Sequence, residues 1–143
     1  MRKTSLMMIA AAAGLTVLAL PASAETMMFK APLSATEEVP PNASKGTGNV
    51  EATYDTSSKK LSWKGSYSGL TGPVTAAHFH GPAEKGKNAG VVVPVDAAKT
   101  PFEGSATLTD PQAADLQKGE WYLNVHTAEN KGGEIRGQMA KAK

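Results

Sequence analysis

The sequence predicts an all-β, single-domain protein, an antiparallel sandwich or barrel, and three observations carry that reading. Short segments of alternating apolar and polar residues recur about every ten residues, broken by Gly, Pro, Asn and Asp. Helical patterning is confined to one short stretch. Past the apolar N-terminal run, the chain is long enough for one hydrophobic core and too short for two.

The elements follow in order. Arg2 and Lys3 open a basic start, Ser5 to Leu20 is apolar and alanine-rich, and Pro21-Ala22-Ser23-Ala24 ends in a small-x-small cleavage pattern. Residues 1–24 therefore read as a signal peptide, and 25–143 as the domain, starting at Glu25. The apolar run falls short of the ~20 residues a membrane span needs, so a periplasmic or secreted protein with no membrane segment after cleavage is expected. Strands are predicted over 27–35, 47–55, 59–68, 74–80, 91–95, 101–108, 120–127 and 134–140. Tyr54 to Lys60 and Asn130 to Gly133 read as hairpin turns. Asp110 as a cap, Pro111 in the first turn and Gly119 as terminator mark one short connector helix. Gly81 to Gly90 is a glycine-rich loop without P-loop spacing and reads as a mobile flap.

Charge and composition narrow the function. Cleavage would remove Arg2 and Lys3 from the 15 basic residues and nothing from the 13 acidic ones, which leaves a balanced domain. No basic stripe appears, so nucleic acid is not an expected partner. Cysteine is absent, which excludes disulfides and thiolate metal ligands.

All 3 histidines lie in predicted strands, in His78-Phe79-His80 and in Asn124-Val125-His126-Thr127. Strand alternation places His78 and His80 on one face, about 6 to 7 Å apart, close enough to share a metal ion. Parity sets Trp121, Leu123 and Val125 against the core and turns Tyr122, Asn124 and His126 outward; Phe79 likewise leaves His78 and His80 outward. A hairpin pairing Ala128 with Glu134 would set His126 opposite Arg136, a cation that would attract small anions beside a metal; the plain alternative is a surface arginine paired with Glu134. Glu38 reads either as an added ligand or nearby acid, or as an edge charge that discourages aggregation. Met27 and Met28 are assigned to the core or the strand terminus.

Four stretches, Leu33 to Pro41, Thr75 to Ala83, Gly119 to Thr127 and Gly132 to Gln138, make the chain resemble a CHRD domain, a module named for its repeats in chordin and found alone in bacterial exported proteins. It is more distantly similar to copper/zinc superoxide dismutase, which implies a Greek-key sandwich. That resemblance implies copper ligands at His78, His80 and His126 and an anion-guiding role for Arg136. The chain departs from that family in having no further histidine to bridge to zinc and no disulfide, so any site would be mononuclear. The expected function is an exported copper-binding domain acting on a small anion such as superoxide, with zinc as the alternative metal. The competing expectation is a non-catalytic interaction or matrix module with structural histidines.

Overall fold

Nine strands form among the described residues of a computed structural model, which describes residues 12–20 and 23–143. They are β1 (Thr26–Ser34), β2 (Thr47–Asp55), β3 (Lys60–Ser68), β4 (Val74–His80), β5 (Val91–Pro94), β6 (Phe102–Thr107), β7 (Tyr122–Thr127), β8 (Ile135–Gln138) and β9 (Ala140–Lys141). Eight of them lie where alternation puts them, and β9 splits off the last predicted strand at Met139, whose N–H turns back to the Trp121 carbonyl at 2.9 Å. Arg2, Lys3, Pro21 and Ala22, which carry part of the signal-peptide reading, lie outside the described residues. Residues 12–20 form no helix or strand, and Leu15 and Leu20 are exposed. No described helix is long and apolar enough to cross a membrane.

The strands pair in the order β5-β4-β7-β8-β1-β2-β3-β6, with β9 beside β1 and every pairing antiparallel. The connections from β3 to β4 and from β6 to β7 cross the sheet, as a Greek key requires. The sheet nearly closes into a barrel, and its two halves share one core. Trp63 of β3 meets Phe79 of β4 edge-on at 5.3 Å, and Phe79 meets Trp121 at 5.7 Å. All are buried, and each large apolar side chain so buried contributes roughly 1.5–3 kcal/mol.

The connector helix α1 (Asp110–Gln117) closes one side with Ala113 and Leu116. Its cap is Thr109 rather than Asp110: Thr109 accepts from the Gln112 N–H while the Gln112 side chain accepts from the Thr109 N–H, a reciprocal capping box.

The opposite face of β4, β7 and β8 is not open surface. Tyr122, Asn124 and Arg136 are buried there, with His80 9% exposed. The segment 35–46 and the loops 81–90 and 128–133 cover this face. Asn42 donates to the Glu134 carbonyl at 3.0 Å and Asn88 to the Val39 carbonyl at 3.1 Å. The protein thus has an apolar core on one face of this half-sheet and a polar, hydrogen-bonded layer on the other.

Candidate metal centre

β4 carries His78 and His80 and its antiparallel neighbour β7 carries His126, all toward the polar layer. Register pairs His78 with Asn124 and Ala76 with His126, so His126 lies diagonal to His78. The ring centroids of His78 are 5.5 Å from those of His80 and 5.1 Å from those of His126. One ligating atom from each of the three residues falls within 4.8 Å of the others. His78 Nδ1 and His126 Nε2 are 3.3 Å apart. Two nitrogens about 2.0–2.1 Å from one tetrahedral metal stand about 3.3 Å from each other, so this pair already has ligand spacing.

Two of the imidazoles are held from behind by loop carbonyls. His126 Nδ1–H donates to Lys131 O at 2.8 Å, and His80 Nδ1–H donates to Ala89 O at 2.9 Å. A hydrogen on Nδ1 leaves Nε2 of each ring with its lone pair, the arrangement metal-binding histidines use. Burial lowers the pKa of His80 and of His78, aided for His78 by the other two imidazoles. Both rings are thereby favoured in the neutral form that binds metal.

The second ring nitrogen of His80 lies 2.9 Å from Asn124 Oδ1. Tyr122 stacks on the His80 ring at 4.8 Å with planes 2° apart, and the Arg136 guanidinium lies 3.4 Å over the other side of Tyr122. Arg136 donates to Asn88 Oδ1 at 2.9 Å and to the Lys87 carbonyl. The Gly81 to Gly90 loop is therefore fastened rather than the expected mobile flap: Gly81 donates to Gly90, Ala83 to Glu120, and Gln138 to Ala83.

Arg136 differs from its expected place. It pairs with Asn124, not His126, because the β7–β8 register is displaced by two residues. Glu134 N–H bonds Val125 O at 2.7 Å, and Gly133 N–H bonds Asn130 O at 3.0 Å, so the last paired residues are Val125 and Ile135 and the turn is wider than a pairing of Ala128 with Glu134 would make it. A two-residue displacement preserves parity, so Arg136 keeps the predicted face but sits behind Tyr122, 2% exposed.

Two buried carboxylates, Glu134 and Glu38, have surroundings that strand patterns do not reveal. Glu134 forms no ion pair with Arg136; its carboxylate accepts from Ser44 Oγ at 3.0 Å, Thr71 N–H at 2.9 Å, Thr127 Oγ1 at 2.8 Å, Asn130 Nδ2 at 3.0 Å and the Thr71 hydroxyl. Burial alone would raise its pKa, but these donors hold it down to about 2. Glu38 is also buried, and its Oε1 lacks a hydrogen-bond partner. Burial pushes its pKa up to about 7 against the opposing charge of Arg136. Thr71, Ser44 and the carbonyls of Ala89 and Lys131 carry no sequence signal, since they meet the site only through loop folding.

The family model for the CHRD domain matches residues 29–139. No curated protein and no solved structure matches the chain.

Proposed function

The chain belongs to the CHRD domain family, and for this member we propose an exported, mononuclear metal centre held by His78, His80 and His126, with copper as the metal and zinc as its competitor. The observation that carries the reading is the three-imidazole group with ligating atoms within 4.8 Å, two of its rings held at Nδ1 by loop carbonyls. Three nitrogen donors and one vacant position suit copper in both oxidation states.

Copper held there would supply one-electron redox chemistry, which the conversion of two superoxide anions and two protons into dioxygen and hydrogen peroxide requires. The residues do the rest. His78 and His126, half-buried, leave an approach for a small anion, while Tyr122 and Asn124 close the far side. Arg136 enters as a buried positive charge behind Tyr122, felt at His80 and Glu38, rather than as an exposed guide. The apolar leader of residues 1–24 supports a periplasmic or secreted location.

A second reading, a non-catalytic interaction module, is favoured by one observation: the histidines already have partners within the protein, His78 with His126 and His80 with Ala89. Copper and zinc titration of the purified protein separates the two. Stoichiometric binding with nitrogen ligation, lost in His126→Gln, supports the metal centre and calls for a superoxide assay. Absence of binding at micromolar metal rejects it and leaves the interaction module.

A further inference from the structure

Two charged residues, Glu134 immediately before β8 and Arg136 two residues on, are both buried, and neither hydrogen-bonds an imidazole. Each instead grips a different loop. Glu134 ties the 128–133 loop, through Asn130 and Thr127, to Thr71 and Ser44 from two other connections. That loop presents Lys131 O to His126 Nδ1 at 2.8 Å. Arg136 ties the 81–90 loop through Asn88 Oδ1 and Lys87 O, next to Ala89, whose carbonyl receives the His80 Nδ1–H at 2.9 Å. Tyr122 braces the same carbonyl, donating its hydroxyl to Ala89 O at 3.2 Å and accepting from Ala89 N–H at 3.0 Å.

We propose that Glu134 and Arg136 are paired positioning residues, each fixing the loop carbonyl that selects the Nδ1–H form of one histidine: Glu134 for His126, Arg136 for His80. The inference deepens the metal-centre reading and rests on it for its purpose, although the positioning itself is a property of the metal-free protein. A buried carboxylate with five donors and a buried guanidinium stacked on an aromatic ring are costly to assemble unless the geometry they hold is used. The loops they hold end in the two carbonyls that orient the site. Carbonyl partners of this kind fix tautomer and ring direction, and their loss typically weakens metal binding 10–100-fold.

The test is long-range ¹H–¹⁵N correlation of the histidine rings in the purified, chelator-treated protein, followed by zinc titration. In the unaltered protein His80 and His126 should carry hydrogen on Nδ1. Glu134→Gln should mix the tautomers of His126 and leave His80 unchanged; Arg136→Met should do the reverse. Each should weaken zinc binding by roughly 10–100-fold. If Glu134→Gln does not fold, Thr71→Val, which removes the hydroxyl donor and keeps the carboxylate, should shift His126 alone in the same direction. Wild-type tautomers at both rings in the folded variants would overturn the positioning roles. Selective tautomer changes in a protein that binds neither zinc nor copper would uphold them and reject the metal-centre reading instead.

Discussion

His80 meets an acceptor at both ring nitrogens, Ala89 O and Asn124 Oδ1, each at 2.9 Å. A neutral imidazole has one N–H, so with Nδ1–H given to Ala89 the Nε2 lone pair needs a donor. Asn124 offers its Oδ1 there while its Nδ2 donates to Gly132 O, so no donor serves the Nε2 lone pair, and a metal at Nε2 would take that place. Replacing His78 and His80 together by Gln is expected to abolish copper binding while circular dichroism stays β-rich, because neither ring is part of the apolar core. Unfolding of that variant would make the histidines structural. Glu38 and Glu134 pull the pH dependence of stability in opposite directions. Glu38, raised to about 7 from an ordinary 4.5, favours the folded state fully below pH 4.5, and that contribution is lost as pH rises through 7. Glu134, lowered to about 2, favours the folded state above pH 4.5 and loses that contribution as pH falls through 2. The lowered pKa values of His78 and His80 add stability that is lost on acidification below their ordinary 6.5, so the Glu38 effect is best read by difference. Urea unfolding should show Glu38→Gln matching the wild type near pH 4.5 and exceeding it above pH 7 by on the order of 3 kcal/mol. Parallel curves across that range would place the Glu38 carboxyl outside the buried layer.

At the scale of elements, strand positions were legible because each inward residue of β1, β2 and β3 is apolar and each turn carries its own chemistry. Asp55, for example, accepts from Ser57 and Ser58 to shape the β2–β3 turn. Register in the last hairpin was not legible, since displacement by two residues leaves every side chain on the same face. Two variants probe the elements directly. Thr109→Ala should cost about 1 kcal/mol by removing the capping box of α1, read as a small fall in melting temperature. Gly137→Ala should cost about 1–3 kcal/mol, because its Cβ would run into the Pro32 carbonyl where β8 lies against β1. An unchanged melting temperature for Gly137→Ala would mean that β1 and β8 approach less closely than described.

The whole molecule is a nearly closed antiparallel sheet with two interiors, an apolar one between its halves and a polar one under the loops beside β4, β7 and β8. Thr26 begins β1, and Glu25 is tied to Thr56 by a bond in each direction. Mass spectrometry of the protein recovered from the periplasm or medium is expected to show a chain starting at Glu25, and a retained leader would remove the export reading. The sequence by itself determined the strands, the sidedness of His78, His80 and His126, and the family, because period-two alternation and short motifs are local properties of the chain. Only the tertiary structure decided that the outward face is covered, that Arg136 lies behind Tyr122, and that Glu134 binds three loops. Those outcomes depend on contacts between segments as far apart as Ser44 and Glu134, whose meeting follows from how the sheet brings its loops together and from no pattern within either segment.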